Sequence, residues 1–273
     1  MTSAFLDKKF PTLIGVLVIA VGTLLTTYLV KGDTLFDITA GPTQDPKNVR
    51  ITNISDDSFT VSYITDDSVT GTLNFGTDPN QLNILILDDR DQLSQTIERR
   101  RSHSITVKNL EPNSTYSFSI TSGNEKYLDN GSPYMVRAGS RINTVPSSQI
   151  PIAGKVIMPD GSVPSDGVVF VRINGAQDVS SVLKSDGTYT IPLNNLRNSA
   201  LESYFTLSEN TIINLEVISA NLSSKIELPS DLINPVPTIS LSGSYNFSAP
   251  SQEVSPSVEV STQFSDLFQF FGN

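Results

Sequence analysis

Few residues of this chain could carry acid–base, nucleophilic or metal chemistry. The sequence contains one histidine, His103, and no cysteine, which excludes two-histidine metal sites, zinc–thiolate sites, cysteine nucleophiles and disulfides. His103 opens an alternating run, so we predict that it is a partly exposed strand residue. No Walker loop, G-x-S-x-G elbow, H-E-x-x-H helix or G-x-G-x-x-G segment occurs. We therefore expect no enzyme activity, no cofactor and no catalytic or metal-binding residues.

Acidic residues occur in adjacent pairs, and carboxylate oxygens are the ligands that calcium prefers. No pair has EF-hand spacing, so we interpret the pairs as solvated turns and keep a calcium site as the alternative. The pairs are Asp56-Asp57, Asp66-Asp67 and Asp88-Asp89.

The charge balance limits the partners. A formal charge of −10 and a pI near 4.5 argue against nucleic acid, because phosphate binding needs a basic surface. One short charged run, residues 98–101 (Glu-Arg-Arg-Arg), could contact an anionic polymer or a lipid headgroup. We favour a solvated loop or a charged edge strand, which discourages pairing between sheet edges.

The first structural element of the chain is an apolar segment near the N-terminus. Residues 10–30 (FPTLIGVLVIAVGTLLTTYLV) are uncharged, and as a helix they would span about 32 Å, close to the ~30 Å hydrocarbon core. Lys8 and Lys9 precede the segment and predict a cytoplasmic N-terminus, residues 1–9, with the bulk of the chain outside the membrane. The alternatives are a cleaved signal peptide, with Ala40 before the cut, and a pilin-like N-terminus.

A Gly/Pro/Asp-rich linker, residues 31–46, leads into a first module, residues 47–145. Alternating apolar residues predict about seven short strands, which is typical of an immunoglobulin-like sandwich. The predicted strands contain Val49, Ile51 and Ile54, then Phe59, Val61 and Tyr63, then Val69–Phe75, Leu82–Leu87, His103–Val107, Tyr116–Thr121 and Tyr134–Ile142.

This first module resembles a fibronectin type III domain. The stretch KNVRITNISDDSFTVSYIT resembles the opening of that domain, and LEPNSTYSFSI resembles its tyrosine-corner segment, with Leu110, Pro112 and Tyr116 at the motif positions. The resemblance implies that the hydroxyl of Tyr116 bonds to nearby backbone. Tyr63 stands where the family has a core Trp. A Tyr can take that place where its hydroxyl reaches the rim of the core or a polar partner.

A second module, residues 150–247, follows the linker PSSQIP and resembles carboxypeptidase-regulatory-like (transthyretin-like) domains, which are accessory folds without catalytic residues. Asn174-Gly175 and Asp186-Gly187 are read as hairpin turns. Further strands are predicted at Ile212–Ile218, Ser224–Leu228 and Thr238–Tyr245, with a short helical turn within Leu193–Ser203. The matching positions are Gly154, Val156, Asp160, Gly161, Pro164, Gly167, Val169 and Val171, then Asp186, Gly187, Tyr189 and Ile191.

The tail, residues 248–273, is rich in Ser, Pro and Glu and ends in an apolar stripe. Its four members fall at i, i+3, i+4 and i+7, so the stripe either docks on the module or forms a docking motif for a partner. They are Phe264, Leu267, Phe268 and Phe271.

Together these observations predict an all-β chain, two β-sandwiches in tandem behind one transmembrane helix. The expected function is binding or structural: adhesion, spacing or envelope assembly at the cell surface, with an unknown protein or glycan partner and possible self-assembly. A pilin-like filament subunit is one alternative. A glycan-binding accessory protein is another, with Tyr127 and Tyr134 as the exposed aromatics that would contact sugar.

Overall fold

The computed structural model describes residues 43–248. Within this range no helix is long and apolar enough to cross a membrane. The predicted anchor at residues 10–30 and the tail stripe from Phe264 to Phe271 lie outside the described residues. The described residues fold almost entirely as β structure, as the sequence predicts.

Two sheets face each other in the first sandwich. Strands β1, β2 and β5 form one sheet, and β4, β3, β6 and β7 form the other, in which β8 also pairs with β6. A six-residue helix, α1 (Asp89–Ser94), connects β4 to β5. The strands are β1 (Lys47–Thr52), β2 (Ser58–Val69), β3 (Gly71–Gly76), β4 (Ile84–Leu87), β5 (Arg100–Lys108), β6 (Thr115–Ser122), β7 (Glu125–Tyr127) and β8 (Tyr134–Arg137).

Alternation along β2 builds the core of this sandwich. Phe59, Val61 and Tyr63 point inward and are fully buried, as the period of two requires. They pack against side chains of the facing sheet, including Leu73 and Phe118. The register of β2 against β5 then shifts between Ile64 and Val69, and the chain crosses to the second sheet.

The second sandwich also has two sheets. One has the order β11-β10-β13-β14-β16 and the other the order β12-β9-β15. A single 3₁₀ turn, Ser230–Leu232, interrupts the β structure. The strands are β9 (Ile152–Ile157), β10 (Val168–Ile173), β11 (Val179–Val182), β12 (Thr188–Ile191), β13 (Ile212–Ser219), β14 (Leu222–Pro229), β15 (Ile239–Ser240) and β16 (Ser244–Asn246).

Glycine turns close the hairpins of this sandwich. Gly175 and Gly187 have φ of 82° and 77°, a conformation that glycine adopts without steric cost. Both lie in turns, as predicted. A Cβ on Gly187 would also meet the backbone oxygen of Val156 at 2.5 Å, so this turn sits tightly against β9.

Three predictions about local structure were wrong. The segment Leu193–Ser203 contains no helical turn, because Arg197 bridges to Tyr204 in an extended arrangement. The predicted strand Tyr134–Ile142 ends at Arg137. The predicted strand Thr238–Tyr245 divides into β15 and β16. The sequence analysis also missed α1 and β7.

The two sandwiches belong to one compact unit. Strand β10 reads VVFVRI, and its first four residues are buried on both faces of the strand. Val169 and Val171 join the core of the second sandwich, whereas Val168 and Phe170 contact Ile64 of the first. A continuous apolar run is typical of a strand covered on both faces, and here the second cover is the neighbouring sandwich.

Candidate functional site

The candidate site is the contact surface between the two sandwiches. On the first sandwich it is the outer face of the β1-β2-β5 sheet, where small polar side chains are buried. On the second it is β10 with its neighbour β11. The small side chains of the first sandwich let the two sheets approach closely, and its buried members are Thr52, Thr60, Ser62, Ser102 and Ser104.

Asn53 caps the free edge of β11, the outermost strand of its sheet. The Asn53 Nδ2 donates to Ser180 O at 3.1 Å, and Ser180 N donates to Asn53 Oδ1 at 3.0 Å. The side-chain amide therefore replaces a neighbouring strand. Asn53 N also donates to Asp178 O at 3.1 Å, and the hydroxyls of Thr52 and Ser180 are 2.6 Å apart.

Asp166 of the second sandwich caps the edge of β5 in the same way. Its Oδ2 accepts hydrogen bonds from Arg101 N at 2.8 Å and from Ser102 N at 3.1 Å. Because β5 is also an outermost strand, its amide groups would otherwise be open to pairing with another chain. Each sandwich thus closes an edge strand of the other, an arrangement that we call reciprocal edge capping.

A buried ion pair connects the two sandwiches at the other end of their contact surface. The Nη2 of Arg197 lies 2.5 Å from Asp56 Oδ1, and Nη1 donates to Ser140 O at 2.6 Å and to Leu201 O at 3.1 Å. The side chain of Arg197 is only 3% exposed, so these partners offset the free-energy cost of burying its charge. Gly139 leaves room for it, since a Cβ there would meet Arg197 Nη1 at 2.7 Å. Asp56 is therefore an inter-sandwich contact and not a solvated turn residue.

Arg50 of β1 bridges to the second sandwich through two contacts. Its guanidinium forms an ion pair with Glu216, and its Cζ lies 4.2 Å from the centre of the Phe170 ring. Stacking of a planar cation on an aromatic face is a favourable arrangement. Phe170 is thereby covered by both apolar and cationic groups.

Two further carboxylates cap β5 from within the first sandwich. Asp88 Oδ2 accepts from Ser104 N at 3.2 Å, and Asp89 Oδ1 accepts from Thr106 N at 2.8 Å. The prediction that Asp88-Asp89 is a solvated turn is therefore wrong, because Asp88 is 0% exposed. The helix α1 begins here and folds both carboxylates onto the strand edge.

The two neighbouring carboxyls have opposite pKa shifts. Burial alone would raise the pKa of Asp88, but His103 and Arg90 hold it well below its ordinary value; Arg90 Nε lies 2.9 Å from Asp88 Oδ1. Burial raises the pKa of Asp89, hydrogen bonds from Thr106 oppose the rise, and the charge of Asp88 adds to it. The arrangement keeps Asp88 ionised.

His103 and Tyr63 stack inside the sandwich, with ring centres 4.6 Å apart. His103 is 1% exposed, so the prediction of a partly exposed residue is wrong: its side chain faces the inside of the first sandwich, like Tyr63, its partner across β2 and β5. A Cβ on Gly71 would meet His103 Nδ1 and Tyr63 Oη at 2.3 Å each. Only glycine fits beneath these rings.

Among the described residues, neither His103 Nδ1 nor Tyr63 Oη makes a hydrogen bond. His103 Nδ1 lies 3.6 Å from Asp88 Oδ2, and Nε2 lies 3.1 Å from Arg100 O. Burial raises the pKa of Tyr63 far above its ordinary value, the charge of Asp88 raises it further, and Ser122 opposes this only in part. Tyr63 is thus a core residue without the polar partner that would suit it.

The tyrosine-corner residues lie together at one end of the first sandwich. Leu110 and Tyr116 are buried and Pro112 is half-buried. The Tyr116 hydroxyl accepts a hydrogen bond from Glu111 N at 2.8 Å, which is the kind of backbone contact that the resemblance implies.

Tyr127 and Tyr134 are not loop residues. They lie in β7 and β8, are half-buried and pack against the core of the first sandwich. Tyr134 stacks on Phe118 with ring centres 5.1 Å apart. Their faces are therefore largely used within the fold.

A groove of about 510 Å³ opens where the two sandwiches meet. We call it the arginine groove, because Arg90, Arg99, Arg100 and Arg101 line it together with the carboxylates of Glu98 and Asp166. Arg90 lies in α1, Arg99 precedes β5, Arg100 and Arg101 begin β5, and Asp166 precedes β10. The run at residues 98–101 thus begins in a loop and ends on an edge strand, the two structures that the sequence analysis favours, and it also forms one wall of a groove. Among residues 43–248 no group of three or more His, Asp or Glu side chains is placed to hold a metal ion.

Sequence reasoning missed the second-sandwich half of this region. Asp166 and Arg197 stand in segments with ordinary loop composition, and nothing local marks them. One signal was present, however. The run VVFV in β10 predicts a strand buried on both faces, which implies that something must cover its second side.

Comparison with known proteins supports the fold of the first sandwich. Residues 46–137 match the sequence model of a family described as purple acid phosphatase, N-terminal domain. The match covers less than half of the 273 residues, so it is a likeness of the first sandwich alone. No carboxypeptidase-regulatory model matches the chain, and no curated protein matches it.

Solved structures similar to this chain have low identity to it. They include the sensor domain of the anti-sigma factor RsgI4 in Pseudobacteroides cellulosolvens, at 12% identity and TM-score 0.22, covering 36% of this chain and 95% of that one. A structure of PhoD has 11% identity and TM-score 0.27, covering 45% of this chain and 24% of that one. The FN1–FN3 domains of chicken CNTN1 have 15% identity and TM-score 0.24, covering 67% of this chain and 64% of that one. The chain thus spans less than two thirds of the length of the PhoD and CNTN1 structures. Its fold is therefore described from its own strands and sheets.

Proposed function

We propose that this chain is a membrane-anchored protein of the cell surface whose two β-sandwiches act as one rigid binding and spacing unit, without catalysis. The observation that carries the proposal is reciprocal edge capping: Asn53 closes the edge of β11, and Asp166 closes the edge of β5. A spacer or an adhesion module holds its binding surface at a fixed position only if its domains do not rotate relative to each other.

The proposed location follows from the uncharged segment at residues 10–30 and the lysines before it. In this proposal the first sandwich is of the fibronectin type III kind, supported by the contact between Tyr116 and Glu111 N. The second is of the carboxypeptidase-regulatory kind, supported by the Asp-Gly turns at Gly161 and Gly187, whose φ values are 83° and 77°.

Protease treatment of intact cells that express the full chain tests the proposal. We expect the sandwiches to be cleaved from outside, and the uncleaved chain to leave the membrane only with detergent. Protection from external protease, or release by salt alone, would contradict the anchored surface location. Release as sheared fibres would favour the filament alternative.

A second candidate function is an accessory role beside a phosphatase, favoured by the family match of residues 46–137. Activity toward a chromogenic phosphate ester separates the two candidates. The spacer proposal predicts that neither the purified full chain nor the material that co-purifies with it hydrolyses the ester. Phosphatase activity in the co-purified material, lost when the chain is deleted, would favour the accessory role.

A further inference from the structure

We infer that the arginine groove binds a carboxylate-bearing polysaccharide, that is, a polymer of sugar acids. The inference rests on the proposed function and names the chemistry of the partner that the surface unit would bind. It uses the two guanidiniums of the groove that form no ion pair, the polar lining of the groove and its position between the two sandwiches.

The four arginines of the groove have different roles. Arg90 pairs with Asp88 at 2.9 Å, and Arg100 pairs with Asp91 at 2.5 Å and Glu98 at 2.8 Å. The guanidiniums of Arg90 and Arg100 are therefore already engaged in ion pairs. Among the described residues Arg99 and Arg101 form no ion pair; Arg99 Nε donates to Ser68 O at 2.8 Å, which leaves its two terminal nitrogens for a ligand.

The unpaired guanidiniums indicate an anionic ligand. Both Arg99 and Arg101 are exposed, and a guanidinium is the side chain that best matches a carboxylate with two parallel hydrogen bonds. Two carboxylates also line the groove. Glu98 pairs with Arg100, and Asp166 accepts two backbone N–H groups through Oδ2, while its Oδ1 is buried without a hydrogen bond.

The rest of the lining favours a sugar acid over other anions. Ser68, Ser165 and Ser185 add hydroxyls, Leu183 is the one apolar residue of the wall, and no aromatic side chain lines the groove. A neutral sugar would have no ring to stack on, and an apolar peptide side chain would have little to contact. Serine hydroxyls, which donate and accept, suit the hydroxyls of a sugar. A phosphate headgroup presents only acceptors and would leave the accepting capacity of these hydroxyls unused.

Reciprocal edge capping also pre-organises the groove. Asp166 joins the two walls through its contacts with Arg101 N and Ser102 N, so the backbone that carries Arg101 is held in place before a ligand arrives. A site fixed in advance loses less conformational entropy on binding.

Calorimetric titration of the detergent-solubilised full chain with oligogalacturonate tests the inference. The variant Arg99→Gln/Arg101→Gln removes both free charges, and Arg141→Gln is the matched control, since Arg141 is an exposed arginine outside the groove. We expect binding that weakens with added salt, a loss of about tenfold or more in the double variant, and no change in the control. Equal melting temperatures of the three proteins show that the double variant is folded.

Several results would overturn the inference. These are no binding of oligogalacturonate, unchanged binding by the double variant, equal weakening in the control, or tighter binding to vesicles with anionic phospholipid or to polyphosphate than to oligogalacturonate. None of them changes the outcome of the protease experiment on intact cells, so failure of this inference is distinguishable from failure of the proposed function.

Discussion

Asn53 and Ser180 are 127 positions apart in the sequence, yet the side-chain amide of Asn53 both donates to and accepts from the backbone of Ser180. This pair closes the edge of β11 as a neighbouring strand would. The same relationship in the other direction joins Asp166 to the edge of β5. The two sandwiches are therefore held by main-chain groups that must be satisfied when buried.

Replacing Asn53 tests the edge cap. Asn53 has a φ of 52°, so Asn53→Gly keeps the backbone conformation and removes only the side-chain bonds. We expect the free energy of unfolding to fall by about 1–3 kcal/mol, because the two hydrogen bonds to the Ser180 backbone are lost together with the longer contacts of Nδ2 with the hydroxyls of Thr60 and Ser180. Asn109→Gly is the control: Asn109 is exposed with a φ of 61°, and its change is expected within about 0.5 kcal/mol. Urea denaturation measures both changes, and equal losses of stability in Asn53→Gly and Asn109→Gly would contradict the role of Asn53 as an edge cap.

The ion pair between Arg197 and Asp56 gives a second prediction. Asp56→Ala leaves the guanidinium of Arg197, only 3% exposed, without its carboxylate. We expect a loss of about 3 kcal/mol, since stranding a buried charge is costly. Asp178→Ala breaks a similar pair whose arginine, Arg172, is 69% exposed, and should cost at most about 1 kcal/mol. Similar losses in both variants would show that burial of Arg197 does not matter.

The sequence predicted the individual sandwiches better than their contact. Alternation found most strands, and Asp-Gly pairs found the turns, because both signals are local. The contact depends on Asn53, Asp166 and Arg197, whose partners are distant in sequence. His103 was misjudged for a related reason: the face of β5 that points inward is set by its pairing with β2, where His103 lies opposite the core residue Tyr63. Only the VVFV run of β10 carried a local sign of the second cover.

Two tyrosines of the first sandwich should respond differently to loss of the hydroxyl. The Tyr116 Oη accepts from Glu111 N, so Tyr116→Phe should cost about 1–2 kcal/mol of stability. The Tyr63 Oη is buried without a hydrogen bond, so Tyr63→Phe should be neutral or stabilise by about 1 kcal/mol. Thermal unfolding of both variants checks this. A Tyr63→Phe protein that is less stable than Tyr116→Phe would mean that the Tyr63 hydroxyl has a partner.

Acid should destabilise the protein in part through Asp88. Its pKa is lowered in the folded state, so the stability it contributes is complete above its unfolded pKa, about 4, and is lost progressively as the pH falls below that value toward the lower folded-state pKa. We expect Asp88→Asn to be less stable at pH 7 and to lose less stability than the parent between about pH 5 and about pH 3.

Asp89→Asn is the control for this pH dependence, because the pKa of Asp89 is raised. Protonating Asp89 favours the folded state as the pH falls, so its removal should steepen the acid loss. Urea midpoints across the pH range measure both slopes. Parallel slopes in the two variants would contradict the opposite signs of the shifts.

The two sandwiches should behave as one rigid unit, and a distance measured between them tests this expectation. The chain has no cysteine, so spin labels can be placed at Lys126→Cys in the first sandwich and Asp231→Cys in the second, both at exposed positions. Double electron–electron resonance should give one narrow distance distribution, which broadens in the Asn53→Gly/Asp56→Ala variant. A broad distribution in the parent chain, unchanged by those substitutions, would contradict the claim.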